Sequence, residues 1–151
     1  MRITALALAL LTAAAPAGAA DLLAPDPALS PAEVVAIQLD ALQANQAGTD
    51  AGIAQTFAFA HPDNKRMTGP LPRFARMIKG PQYRMLLNHR SHDIREVART
   101  DKNAVFAVMV TTRTGEVVSY QWSVAKVTGG EHAGAWMTVS VSPPVAVGQA
   151  I

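Results

Sequence analysis

The spacing of apolar residues changes near Tyr83, and this change restricts the folds open to the chain. Before it, apolar residues recur at intervals of three and four, which is the period of an amphipathic helix. After it, apolar and polar residues alternate, which is the period of a half-buried strand. Helices followed by a run of strands are typical of an α+β domain with an antiparallel sheet. We therefore expect two to three N-terminal helices packed on a sheet of about four strands.

The first predicted helix has three agreeing signals at its start. Ser30 can cap the first turn, Pro31 suits the first helical position, and Glu33 can reach back to the cap. Apolar residues then form a wide stripe along one side. We expect this helix to run to about Ala47, because Gly48 follows it.

Two shorter helices follow. The second is capped by Thr49 or Asp50 and ends before Pro62. Residues 63–66 then form a polar loop in this interpretation. The third helix is short and stops at Gly80, which a proline follows.

Four segments are predicted as strands, at residues 88–99, 104–110, 118–124 and 136–141. The segment 104–110 is apolar on both faces, which indicates a central strand that is covered on both sides. A homodimer contact would cover its outer face. Gly115 marks a hairpin turn after it. Pro143 and Pro144 end the last strand, because neither can donate to a sheet ladder, and we expect residues 144–151 to form a flexible tail.

The first twenty residues have the three parts of a secretory signal peptide. Arg2 supplies a positive start, residues 3–15 are uncharged and apolar, and residues 17–19 match the small-residue cleavage pattern. The apolar run is too short for a membrane-spanning helix, which needs roughly 20 residues. We therefore expect a cleaved signal peptide over residues 1–20, a periplasmic or secreted protein, and no membrane span.

The absence of cysteine restricts how the mature chain is stabilised. It excludes a disulfide framework, a thiolate nucleophile and a zinc site built on cysteine. After a flexible lead-in at residues 21–29, we expect a single domain over residues 30–143. A chain of this size can bury a sufficient core by packing alone.

The order of the predicted elements resembles that of a known family. Five features carry the resemblance: the opening helix with Gln38-Leu39, the second helix with Phe57-Ala58-Phe59-Ala60-His61-Pro62, the short helix with Phe74-x-x-Met77-Ile78, the turn and strand from Thr114 to Trp122, and the closing Gly134-x-Trp136 strand. In this order the chain resembles the bacterial domain-of-unknown-function family 4864, of nuclear transport factor 2-like (cystatin-like) architecture. The resemblance implies a curved sheet that forms a cone with the helices. It implies no activity, because the family's activity is unknown.

Enzymes that resemble this architecture often place one Asp, His or Tyr inside the cone as a general base, where burial raises the pKa of a carboxylate. Asp40 on the first helix and Asp93 on the first strand are the acidic candidates, although each also suits the solvated side of its element. The chain contains no Ser-His-Asp spacing, phosphate-binding glycine loop or paired-carboxylate motif. We assign no catalytic residue and no cofactor.

Three histidines need a separate interpretation. His89 and His92 are three apart in a predicted strand, which places them on opposite faces and disfavours a shared metal ion. A helical segment would instead bring them together with Asp93 as metal ligands. His61 lies at a predicted helix end, where an imidazole can meet free carbonyl groups. We assign no metal site.

Charge is unevenly distributed along the chain. Residues 21–64 contain six acidic and no basic residues, whereas residues 65–102 contain ten basic and three acidic residues. Such a band can attract an anionic ligand or an acidic partner, and its candidate residues are Arg73, Arg76, Lys79 and Arg84. Alternatively, the two parts neutralise each other within the fold or a dimer. Aromatic residues are few within the band, so we expect no nucleic-acid partner.

Aromatic residues can line a cavity between a curved sheet and its helices, a usual place for a small ligand. The candidate cavity residues are Phe74, Tyr83, Tyr120 and Trp122. The alternative is that Trp122 and Trp136 fill the core and leave no cavity.

Two functions therefore compete. The first is a non-catalytic module that binds a small apolar or anionic ligand, or another protein. The second is a small isomerase, dehydratase or hydrolase that uses one Asp or His. An acidic residue or histidine inside an apolar pocket would favour the enzyme. A pocket lined by Tyr, Trp, Met and Val would favour binding.

Overall fold

The computed structural model describes residues 21–151, and it confirms the α+β class. The helices in this part of the chain are Pro31–Gln43 (α1), Ala51–Ala58 (α2), Pro62–Thr68 (α3) and Leu71–Ile78 (α4), followed by a 3-10 turn at Arg84–Leu86. The strands are Ser91–Arg99 (β1), Asn103–Thr111 (β2), Glu116–Lys126 (β3), Trp136–Val141 (β4) and Val145–Gln149 (β5). The predicted signal peptide lies outside the described residues.

Helix α1 starts as its sequence predicts and ends earlier. The Ser30 side chain accepts the Glu33 amide at 3.2 Å, and the Glu33 carboxylate accepts the Ser30 amide at 2.7 Å. The expected continuation to Ala47 is wrong, because Asn45 turns the chain towards α2. Its Oδ1 accepts the amide of Ile53 at 3.1 Å, which satisfies a first-turn donor of α2.

The segment between α2 and α4 differs from the predicted polar loop. Helix α2 ends at Ala58, and Ala60 then forms a β-bridge with Thr138 of β4. The amide of His61 donates to the Thr138 carbonyl at 2.8 Å. Pro62 begins α3, a position where its missing N–H costs nothing. The chain thus returns to the sheet before it forms a new helix.

The sheet is antiparallel, with neighbouring strands in the order β1-β2-β3-β4. Strands β4 and β5 both pair with β3, β4 over residues 122–126 and β5 over residues 116–119. The helix-facing side chains of β2 and β3 form the centre of the core and include Phe106, Val108, Val110, Tyr120, Trp122 and Val124.

Strand β5 occupies residues for which the sequence predicts a flexible tail. Pro143 and Pro144 end β4 as expected, but the chain resumes pairing directly after them. Val145 aligns with Ser119, and Ala146 aligns with Val118. The physical reason is that the first half of β3 would otherwise present unpaired backbone groups along this edge.

The outer face of β2 is only partly covered within one chain. Val105 and Ala107 are half-buried, and Met109 is 41% exposed. The helix-facing residues of the same strand are buried. The sequence predicts that both faces of β2 are covered. Within one chain, only the helix-facing side is fully covered.

Candidate ligand cavity

A cavity of about 320 Å³ lies where the four helices meet β3 and β4. This volume is near the lower end of the range for small-molecule sites. Most of its lining is apolar, and the apolar lining residues are Leu42, Ala60, Met67, Phe74, Met77, Ile78, Tyr83, Leu86, Trp122, Val139 and Val141. The polar lining residues are Gln38, Thr56, Asp63, Asn64, Thr68, Thr138 and Ser140.

Three buried polar side chains from three elements meet in the cavity lining. The amide Oε1 of Gln38 accepts a hydrogen bond of 3.0 Å from the indole Nε1 of Trp122. It also accepts one from the hydroxyl of Thr138, which lies 3.1 Å from the same indole nitrogen. Each of the three residues is 1–2% exposed. The group therefore joins α1, β3 and β4 at one point.

The remaining polar atoms around this group are also paired. Gln38 Nε2 donates to the Thr56 carbonyl at 3.0 Å, and Thr56 Oγ1 donates to the Gly52 carbonyl at 2.9 Å. Across residues 21–151, no buried side-chain nitrogen or oxygen lacks a hydrogen-bond partner. The buried polar atoms at this end of the cavity already have hydrogen-bond partners, so an apolar part of a ligand fits there best.

Helix α3 forms the mouth of the cavity. It supplies Asp63, Asn64, Met67 and Thr68 to the lining, and none of its residues is buried. Asn64 Nδ2 donates to the Thr138 carbonyl at 3.1 Å, which ties α3 to β4. Met67 is 75% exposed at this edge. The inner part of the cavity is therefore buried, whereas the mouth faces solvent.

Three of the four aromatic residues predicted to line a cavity do line this one: Phe74, Tyr83 and Trp122. Tyr120 does not. It packs against Tyr83 with ring centroids 6.3 Å apart, and its hydroxyl donates to the Gln82 carbonyl at 3.0 Å. The Tyr83 hydroxyl donates to the Val141 carbonyl at 2.8 Å, and burial raises the pKa of both phenols. Tyr120 is thus a core residue behind Tyr83.

His89 and His92 lie together, so the prediction that they occupy opposite faces of a strand is wrong. His89 Nε2 lies 2.7 Å from His92 Nδ1. Asn88 has a left-handed backbone with φ of 53°, and β1 begins only at Ser91. His89 therefore precedes the strand, and the alternation rule does not apply to it.

The two histidines form a chain of polar contacts outside the cavity. His89 Nδ1 donates to the Leu86 carbonyl at 2.6 Å, which leaves its Nε2 to accept from His92 Nδ1. His92 Nε2 faces Asp40 Oδ1 at 3.4 Å. Burial lowers the pKa of His89. Both nitrogens of His89 have hydrogen-bond partners, and neither histidine belongs to the cavity lining, so the cluster offers no base to a ligand in the cavity.

The other predicted chemical residues are also outside the cavity. Asp93 is exposed on β1, and the carboxylate of Asp40 is 70% exposed on α1. His61 caps the start of α3, where its Nδ1 accepts the Asp63 amide at 3.1 Å, and does not meet carbonyls at a helix end. Within residues 21–151, no three His, Asp or Glu side chains converge as a metal site requires.

The predicted basic band is divided in the structure. Arg73 and Arg76 are exposed on α4, and Arg84 is exposed in the 3-10 turn that follows. Lys79 forms an ion pair of 2.5 Å with Asp50. This pair joins the acidic and basic parts of the sequence and lowers the pKa of the Asp50 carboxyl.

Gln38, Thr138 and Asn64 are cavity residues that the sequence does not single out as a site. Gln38 has a local signal, since it lies on the apolar side of α1 among buried residues. Thr138 and Asn64 have none. Their roles depend on where β4 and α3 meet, which is a long-range property.

The fold and cavity define the class of the protein as a small α+β domain with an internal apolar cavity. A family model described as Domain of unknown function (DUF4864) matches residues 28–142. The chain belongs to this family, as its resemblance predicts. Neither a curated protein nor a solved structure matches the chain. In residues 21–151, the helices are too short or too polar to cross a membrane.

Proposed function

We propose that this protein is a non-catalytic binding module that holds a small apolar ligand between its helices and its sheet. One observation carries the proposal: the cavity is apolar, and its buried polar group of Gln38, Trp122 and Thr138 is already paired internally. Such a site gains free energy mainly by removing apolar ligand surface from water.

The lining argues against acid–base catalysis. A general base needs an available lone pair close to a buried reacting atom. The lining contains no histidine, and its one carboxylate, Asp63, is 60% exposed at the mouth. The buried His89 is engaged at both nitrogens and lies outside the cavity. A cavity of this composition supports binding over the alternative of a small enzyme.

The proposal includes a periplasmic or secreted location and a homodimer. The location rests on the signal-peptide features of residues 1–20. The homodimer rests on the partly uncovered outer face of β2, where Met109 is 41% exposed. We also retain the nuclear transport factor 2-like cone as a proposal, because such a cone would hold a ligand between sheet and helices.

Thermal unfolding with 1-octanol, inorganic phosphate or Zn²⁺ tests the proposal. A ligand at 100 times its Kd adds about 2.7 kcal/mol, so we expect 1-octanol to raise the Tm by several degrees. Phosphate and Zn²⁺ should leave it unchanged. No shift with 1-octanol or with longer alcohols would contradict an apolar cavity site.

Filling the cavity with a larger side chain provides a second test, with a matched control outside the cavity. Met77→Trp places a larger side chain in the lining, and Val97→Trp places the same side chain on an exposed strand position. We expect only the first to abolish the octanol shift. If Met77→Trp loses its cooperative melt, Met67→Trp at the mouth is the second variant. Equal octanol shifts in the folded variants would contradict the proposed site.

A further inference from the structure

We infer that the cavity takes its ligand apolar end first and selects the ligand's head group at the mouth through Asp63. Heads that donate hydrogen bonds, amines and hydroxyls, are accepted, and carboxylate heads are disfavoured. This inference rests on the proposed function and specifies the ligand class.

The orientation follows from where the polar atoms are. The buried group of Gln38, Trp122 and Thr138 is closed on itself, so a polar head placed there would lose hydrogen bonds to water without full replacement. The mouth residues Asp63 and Met67 are exposed. A head group at the mouth keeps its contact with water while the tail is buried.

The donors at the mouth are partly used within the protein. One of the two hydrogens on Asn64 Nδ2 is donated to the Thr138 carbonyl at 3.1 Å. The Thr68 hydroxyl lies 3.0 Å from the Asn64 carbonyl and 3.1 Å from Asn64 Oδ1, so its hydrogen is directed to Asn64. The Ser140 hydroxyl can both donate and accept, and it therefore discriminates little. The mouth therefore offers both donors and acceptors, and the one charged residue in the cavity lining, Asp63, is an acceptor.

Asp63 supplies the strongest of these acceptors. Its Oδ1 pairs with Arg66. Its Oδ2 lies 3.6 Å from His61 Nδ1, but that nitrogen accepts the Asp63 amide at 3.1 Å and so has no hydrogen to give. Among the described residues, Oδ2 is therefore open to a donor on a ligand.

The nearby cations do not turn the mouth into a carboxylate site. Neither Lys65 nor Arg66 belongs to the cavity lining. The Lys65 ammonium lies 3.4 Å from the Ala58 carbonyl and 5.2 Å from the centroid of the Phe57 ring. Arg66 is 72% exposed and held by Asp63. A ligand carboxylate at the mouth would face the like charge of Asp63, which is unfavourable.

Three probes with one tail test the inference: 1-octylamine, 1-octanol and octanoate, measured by calorimetric titration at pH 7. We expect the amine to bind at least as tightly as the alcohol, and octanoate to bind up to about fivefold more weakly than the alcohol, since Asp63 is 60% exposed and paired with Arg66. In Asp63→Asn, the affinity for octanoate should approach that for the alcohol, and the affinity for the amine should fall towards that for the alcohol. Asp93→Asn removes an exposed carboxylate outside the cavity and should keep the wild-type ranking.

Arg66→Gln should have the opposite effect on head-group selection to Asp63→Asn. It removes the cation that pairs with Asp63, so discrimination between amine and octanoate should increase. Octanoate binding as tightly as octanol, or a ranking that Asp63→Asn leaves unchanged, would overturn the head-group inference while the binding module stands. Failure of all three probes to bind would instead overturn the proposed function.

Discussion

The indole of Trp122 on β3 donates a 3.0 Å hydrogen bond to the side chain of Gln38 on α1, 84 residues earlier in the chain. Both side chains are about 1% exposed. A buried indole N–H needs a partner, and the same amide oxygen also satisfies Thr138. This contact fixes the first helix over the sheet and defines one wall of the cavity.

Replacing Gln38 by Leu should destabilise the protein. The change removes the acceptor of the buried Thr138 hydroxyl and one of the two acceptors of the Trp122 indole. The Thr56 carbonyl loses Gln38 Nε2 but keeps the Phe59 amide at 3.2 Å. An unsatisfied buried polar group costs about 1–3 kcal/mol. Denaturant unfolding should show this loss as a lower midpoint with an unchanged slope. Gln46→Leu, at an exposed position just after α1, is the matched control. Equal losses in both variants would contradict the special role of Gln38.

Gly52 should not tolerate alanine, because α1 and α2 approach closely at this residue. A Cβ atom at Gly52 would overlap the Ala41 carbonyl, which is backbone and cannot rotate away. We expect Gly52→Ala to lower the free energy of unfolding by about 1–3 kcal/mol. Gly48→Ala meets nothing within 4 Å and should be neutral or slightly stabilising. A neutral Gly52→Ala would show that the helices are further apart.

Stability should fall as the pH drops through the ordinary histidine range. Burial lowers the folded-state pKa of His89 below its ordinary 6.5, partly opposed by the Leu86 carbonyl and the charge of Asp40, while His92 acts in the same direction as burial. Below that pH the unfolded chain binds a proton that the folded chain does not. One such proton costs up to about 1.4 kcal/mol per pH unit.

This prediction is tested by comparing variants, because protonation of carboxylates that the fold stabilises also lowers the free energy of unfolding in acid. Between pH 7 and 5, the free energy of unfolding should decline less steeply in His89→Gln than in the wild type. His132→Gln, in the connection between β3 and β4, should keep the wild-type slope. Identical slopes in all three proteins would contradict a neutral, buried His89.

Local signals predicted much of the fold. The cap at Ser30, the turn at Gly115 and the bounds of β4 depend on residues close together in sequence, and the structure confirms them. The burial of Phe74 and Trp122 follows from helix and strand periodicity, which also buries Tyr120 although it does not line the cavity. These features need no knowledge of what the segments pack against.

Long-range features could not be predicted in the same way. The left-handed backbone at Asn88 breaks the expected strand and brings His89 to His92, and no neighbouring residue signals it. The pairing of Gln38 with Thr138 depends on the arrangement of α1 and β4. Strand β5 forms because an unpaired edge of β3 is available, which the two preceding prolines do not reveal.

Methionine methyl NMR tests the central claim most directly. Of the five methionines in residues 21–151, Met67 and Met77 line the cavity, whereas Met85, Met109 and Met137 do not. We expect titration with 1-octanol to shift the Met67 and Met77 methyl signals together, saturably, and to leave the other three in place. A saturable shift confined to Met109, on the outer face of the sheet, or no saturable shift at all, would contradict a ligand site between the helices and the sheet.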